Sequence, residues 1–175
     1  MEVVVNIFIT NKSPKISARN LAKVHVNKQL EESCQLLANA HWFTDSELCP
    51  RLCKPVSMNH PCSVWVRESK EHYRWLVNHA RELLALKGEH GYEQWFKHLK
   101  RNVPALPDKP LVFPMAVTSV EWIGRRYSED LYTTYQRYLS WKYDTFQTRT
   151  DKKRMPVSFY GDVPAYYKRY TTLGV

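Results

Sequence analysis

No stretch of eighteen apolar residues occurs in this chain, so the sequence offers no membrane-spanning helix. The opening MEVVVNIFITNK has no basic residue ahead of its short apolar run and no convincing cleavage site, which argues against a secretory signal. Cysteine is sparse. Cys34, Cys49, Cys53 and Cys62 are irregularly spaced, and without a secretion signal they read as reduced thiols in a cytosol. CPRLC puts Cys49 and Cys53 four apart, with Cys34, Cys62, His41 and His60 as further zinc donors, but no second CxxC or HxxxH completes the set. The expectation is therefore no metal and no cofactor. Walker, GxGxxG, GxSxG and zinc-deaminase signatures are missing, which leaves kinase, dehydrogenase and serine-hydrolase chemistry without support. Internal repeats and low-complexity tracts are missing as well.

Positive charge and aromatic rings are what the chain has in excess. Lys and Arg number 26 against 17 Asp and Glu, a formal charge of +9. That balance leans towards an anionic partner, and nucleic acid is the commonest, because neutralised phosphates release condensed counterions. Six Trp and eleven Tyr strengthen the lean, since bases stack on aromatic rings. The plainer alternative is a basic protein without a special ligand.

With 175 residues, the chain is expected to form one mainly α domain over residues 1–175, carrying a short N-terminal strand. EVVVNIFIT is β-branched and apolar and reads as that strand. A helix is expected from Ser17, as N-cap, to about His41, with Val26, Leu30, Cys34 and Leu37 facing the core. A second runs from Cys62 to about Lys87, with Gly88 as its C-cap residue. GYEQWFKHLKR reads as a short third helix. NVPALPDKPLVFPMAV, with four prolines, reads as an extended crossing inside the same domain. SEDLYTTYQRYLSWKYDTF reads as the last helix, starting near Ser128, and the Tyr-rich tail as irregular.

Four clusters carry candidate chemistry. On the first long helix His25, Lys28, Glu32 and Gln35 are spaced by three, four and three, which puts them within about 80° of arc. Facing water, they would be a solvated stripe with one weak ion pair. Facing a cleft, Glu32 would be a general acid or base, Lys28 an amine nucleophile or phosphate contact, and His25 a proton shuttle. In MNHPCSVWVRES, Asn59 or His60 suits an N-cap before Pro61, with Arg67 and Glu68 two turns on. A His at a helix N-terminus is held neutral and can polarise a carbonyl. In VPAYYKRY, Tyr166, Tyr167, Lys168 and Arg169 interleave rings with cations, a pattern that suits DNA. Rings packed on the core with the cations turned outwards would explain it equally well. The cysteine cluster is the fourth.

Two of these stretches together resemble a family of small tailed-bacteriophage proteins. Those carry a KHVxKMxxExAQxLxxAH helix followed by an NHPxxxWxRExxxNYxWL helix. Here the matches are His25, Val26, Lys28, Glu32, Gln35 and His41, then Asn59, His60, Pro61, Trp65, Arg67, Glu68, Tyr73, Trp75 and Leu76. The resemblance runs from about Leu21 to Tyr170, without a shared motif in the LPDKP crossing. More distantly, that family is similar to the phage pyrimidine-dimer DNA glycosylases of the endonuclease V type. Those are compact all-α enzymes that use a Glu and an amine on a flipped base.

The resemblance implies a phage DNA-acting enzyme in the host cytoplasm, with DNA as partner. Glu32, Lys28, His25 and His60 would be catalytic. Gln35, His41, Asn59, Arg67 and Glu68 would hold substrate, and Arg74 would join the Tyr166–Arg169 segment on DNA. One departure stands out: Met1 precedes Glu2, a large residue that blocks Met removal, so Lys28 replaces an N-terminal amine as the expected nucleophile. Two alternatives accompany this reading. One is an amino-acid:DNA transferase of thymine hypermodification, and the other a non-catalytic nucleic-acid or nucleotide-binding protein. The site is expected where the NHP helix closes over the His25–Gln35 stripe.

Overall fold

The computed structural model describes residues 6–88, 93–116 and 130–174. It is mainly α. The helices are α1 (Pro14–Arg19), α2 (Lys23–Phe43), α3 (Pro61–Arg67), α4 (Lys70–Leu86), α5 (Glu93–Arg101), α6 (Leu131–Thr148) and α7 (Ala165–Tyr170), with a 3₁₀ turn at Cys49–Arg51. Helices α1 and α2 both pack on α4, and α7 packs on α6. The core is continuous across them and is dominated by Leu, Tyr and Ala. Among the described residues no helix is long and apolar enough to cross a membrane.

The first expected helix is two. Ser13, not Ser17, caps α1, and its hydroxyl accepts from the Ile16 amide. Ser17 lies buried inside α1, where its hydroxyl accepts from Thr10 N–H and donates to the Phe8 carbonyl. The second expected helix also breaks. Ser69 has an extended backbone and caps α4, while its hydroxyl donates to the Lys109 carbonyl at 2.6 Å. The break is held by the proline-rich crossing, which also accepts from Lys70 N–H at Pro107 and from the Trp65 indole at Val112. At the end of α4, Gly88 sits at φ +71°, a conformation that favours glycine. The start of α6 is capped by Asp130, whereas Ser128 lies outside the described residues.

No strand occurs among the described residues, a correction to the reading of EVVVNIFIT, whose first four residues lie outside them. Residues 6–10 are buried, with Ile7 and Ile9 fully so. A buried backbone must be hydrogen-bonded, and here side chains serve in place of a neighbouring strand. Gln29 accepts from Phe8 N–H and donates to the Asn6 carbonyl, and Gln136 donates to the Thr10 carbonyl. Those bonds lay the segment between α2 and α6, where it becomes one wall of a cleft.

Candidate active site

Helix α2 buries Val26 and Leu37, as its apolar spacing suggests, but it buries polar residues as well. Leu30 and Cys34 are only half-buried, whereas His25, Gln29, Glu32 and Ser33 are buried. The polar stripe therefore turns inward at His25 and Glu32, while Lys28 stays exposed. It meets Asn6 and Phe8 of the extended segment and Tyr138 and Lys142 of α6, around a cleft of about 140 Å³. That is four to five waters at about 30 Å³ each, room for one small planar group and well short of a whole drug-sized ligand.

Glu32 is the centre of the cleft. It is 5% exposed. One carboxylate oxygen accepts from the Gln29 amide at 2.7 Å, and the other lies 3.7 Å from the Lys28 ammonium. Burial pushes its pKa up to about 7, against the opposing pull of Lys28, the Asn6 backbone and Lys142. A carboxyl poised there exchanges protons at neutral pH. Gln29 fixes it in place, because the same amide nitrogen also donates to the Asn6 carbonyl at 2.7 Å.

His25 backs the cleft at 3% exposed. Its Nδ1 is hydrogen-bonded to the Tyr143 hydroxyl at 3.1 Å, and that hydroxyl accepts from Ala22 N–H at 3.0 Å. Burial, then Lys142 and Lys28, push its pKa down to about 3. At neutral pH it is a neutral imidazole. Its ring packs 5.2 Å from that of Phe8 and 5.7 Å from that of Phe146.

The two lysines differ. Lys28 stands at the rim with its side chain 64% exposed. Lys142 is half-buried, and its amine donates to the Tyr138 hydroxyl at 3.5 Å and lies 5.2 Å over the Phe8 ring. Burial and then Lys28 lower the Lys142 pKa, with Glu32 pulling the other way.

The remaining expected residues lie elsewhere. The wall opposite the stripe is α6 with the extended segment, not the NHP helix, because α3 reaches this region through its buried Cys62, whose thiol lies 3.5 Å from Asn6 Oδ1. His60 caps α3, its Nδ1 accepting from Cys62 N–H, and does not line the cleft. Asn59, just before it, is exposed and is not the cap. Gln35 is half-buried and lies off the cleft. His41 is fully buried between the Ser46 hydroxyl and the Tyr73 hydroxyl, 2.8 Å from each. Arg67 donates to the Met58 carbonyl and stacks 4.4 Å over Phe43, and Glu68 is the exposed C-cap of α3.

In the group expected to face DNA, the rings and the cations part. Tyr166 and Tyr167 are 5% and 4% exposed, so their faces are not offered for stacking. Tyr166 donates to the Asn20 carbonyl and Tyr167 to Asp144. Lys168 and Arg169 are exposed, and Arg74 is exposed and paired with Glu71 at 2.5 Å. All four cysteines are free thiols, and among the described residues no three His, Cys, Asp or Glu side chains gather as a metal site.

Sequence reasoning missed Asn6, Phe8, Gln29, Tyr138 and Lys142. The i, i+4 spacing of Tyr138 and Lys142 was visible, but nothing in it indicates which helix they face. Comparison with protein-family models, curated proteins and solved structures gives no match.

Proposed function

We propose that the protein is a DNA-acting enzyme of the phage pyrimidine-dimer glycosylase kind, working on a pyrimidine base flipped out of the stack. The observation that carries this reading is Glu32, a buried carboxyl poised at about 7 in a small cleft with two lysines beside it. A structural carboxylate gains nothing from such a position, since burial without a full set of partners costs stability. A general acid or base gains reactivity at neutral pH, worth about 10²–10⁴ in rate.

The dimensions agree with a base-sized guest. A cleft of about 140 Å³ takes one planar ring and leaves sugar and phosphate outside. Extrahelical delivery is how enzymes reach a base inside a duplex. Phe8 and Tyr138 offer apolar and hydroxyl contacts to that ring, and Lys28 at the rim offers a cation to phosphate. Exposed Lys168 and Arg169 and the +9 charge supply further phosphate contacts.

Incubation with DNAs bearing normal, damaged or hydroxymethylated pyrimidines, followed by mass spectrometry of bases and nucleosides, tests the reading. Release of a free pyrimidine by wild type, lost in Glu32→Gln with DNA affinity unchanged, is the expected result. A mass gain on a hydroxymethylated base would replace the glycosylase with a transferase. No turnover of any DNA, with weaker binding by Glu32→Gln, would leave a binding protein instead.

A further inference from the structure

We propose that a second groove, beside the cleft, is a nucleotide subsite in which Trp141 stacks the base next to the flipped one and Arg137 holds its phosphate. The inference rests on the reading of the protein as DNA-acting and extends it to a neighbouring nucleotide of the same strand. Neither residue belongs to the clusters that the sequence singles out.

Arg137, Trp141, Thr145 and Thr148 recur at spacings of four, four and three along α6, so they share one face. With Tyr170 and Thr172 of the C-terminal segment they line a groove of about 420 Å³. The cleft holds about 140 Å³. The larger volume falls within the range of about 300–1,000 Å³ that takes a whole small ligand, enough for a base together with its sugar.

The two aromatic residues of the groove offer different things. Trp141 is 37% exposed, and its ring lies 5.9 Å from that of Tyr138, a residue of the cleft wall. An accessible indole therefore stands at the boundary between the two hollows. Tyr170 instead carries cations: the Arg137 guanidinium lies 4.7 Å over its ring, and that of Arg169 lies 5.9 Å from it. Stacking occupies the face of a guanidinium and fixes the direction of its planar N–H fork, the geometry that suits phosphate.

The groove also contains a carboxylate, which would repel a phosphate if it were open. Asp144 is 8% exposed and fully engaged. One oxygen accepts from the Tyr167 and Thr171 hydroxyls, the other from Thr172 N–H and its hydroxyl. Its work is to pin the C-terminal wall beside α6. The Thr145 and Thr148 hydroxyls donate to the Trp141 and Asp144 carbonyls at 2.9 Å each, which leaves their lone pairs as acceptors. Stacking on an indole and contact with hydroxyls are tolerant of base identity. The division of labour is a cleft that reads the reacting base and a groove that holds the next one, whatever it is.

Binding of a short oligothymidylate, of an abasic strand of the same length and of free thymidine 5′-monophosphate, measured by fluorescence anisotropy over a range of salt, tests the subsite. Wild type should prefer the oligothymidylate to the abasic strand by about tenfold or more, the worth of one stacked base. Trp141→Leu should lack that preference, Trp141→Phe should keep most of it, and Arg137→Gln should reduce the salt slope by about 0.7. The preference is a ratio within one protein, so it does not depend on the stability of a variant. A preference undiminished in Trp141→Leu overturns the proposal, and so does thymidine monophosphate binding as tightly as the strand, which would make the groove a free-nucleotide site. Strand binding that depends on Trp141, without base release in the nucleoside assay, upholds the subsite and removes the glycosylase. Base release with binding indifferent to Trp141 removes the subsite and leaves the role of Glu32 standing. Absence of any DNA binding by wild type ends both.

Discussion

The two ends of α2 bury polar side chains in opposite ways. Near its C-terminal end, Asn39 donates to the Val56 carbonyl and the Ser63 hydroxyl and accepts from Val56 N–H, and His41 spans Ser46 and Tyr73. Every one of those polar groups is satisfied, and the surroundings are closed. In its first half, His25 and Glu32 are nearly as deeply buried, yet they border a cleft; burial displaces pKa values at both ends, His41 down to about 4, His25 down to about 3 and Glu32 up to about 7. Burial of a polar group is therefore not the signature of a site. Satisfied groups hold the chain, while groups left with capacity beside open volume can act on something else.

The sharpest way to break this contrast is to neutralise the carboxyl. Glu32→Gln is expected to lower turnover by about 10²–10⁴-fold while leaving the protein at least as stable at pH 7. Loss of folding instead of turnover would move Glu32 into the same class as Asn39. Asn39→Ala should do the reverse. It strips three hydrogen bonds from a closed region, so urea denaturation should register a loss of about 2–3 kcal/mol, with kcat unaltered in the variant that remains folded.

The pH dependence of stability sharpens the comparison further. Glu32 has a folded pKa of about 7 against an ordinary 4.5, so the folded state retains a proton that the unfolded chain has released. Its contribution is fully present below about 4.5 and is lost as pH rises to about 7. His25, at about 3 against 6.5, contributes stability that is fully present above 6.5 and is lost as pH falls towards 3. The two slopes oppose each other where they overlap. Relative to wild type, Glu32→Gln should gain stability between pH 4.5 and 7, on the order of 2 kcal/mol, and then level off. A flat difference across that range would mean that Glu32 ionises as an ordinary surface carboxyl.

The smallest expected effect concerns the C-terminal helix. Lys168→Gln with Arg169→Gln should weaken DNA binding uniformly across sequences and reduce the salt slope by about 1 per residue, at unchanged stability. Tyr167→Phe should leave DNA affinity alone and cost about 1 kcal/mol of stability, because its hydroxyl serves Asp144 and Gln147 inside the fold. Weaker DNA binding by Tyr167→Phe would restore the stacking role that burial denies it.

Much of the α architecture was legible. Periodicity located the long helices, Gly88 marked the end of α4, and the prolines marked the crossing. The breaks at residues 20–22 and 68–69 were not, because Ser69 caps a helix only by also bonding the distant Lys109 carbonyl. The stripe of His25, Lys28 and Glu32 was visible as a pattern, but its inward orientation ran against part of the apolar pattern of the same helix. Val26 and Leu37 are buried as their spacing predicts, whereas Leu30 and Cys34 are half-buried and edge a separate groove with Trp95 and Phe96. The expected partner wall was wrong for a related reason: α3 follows α2 closely in the chain, but α6, more than a hundred residues on, is what lies across the cleft.

By itself the sequence determined the helical class, the positive charge and the spacing that sets His25, Lys28 and Glu32 on one arc, since each is a matter of composition or of local 3.6-residue geometry. Tertiary structure alone decided that His25 and Glu32 on this arc would be desolvated and that Lys142 would meet them. Desolvation depends on which surface a helix turns to its neighbours, and that choice is made by long-range hydrogen bonds such as those of Gln29 to residues 6 and 8. The chemistry of the cleft is a product of that burial, because the same carboxyl and amine in open water would keep their ordinary proton affinities.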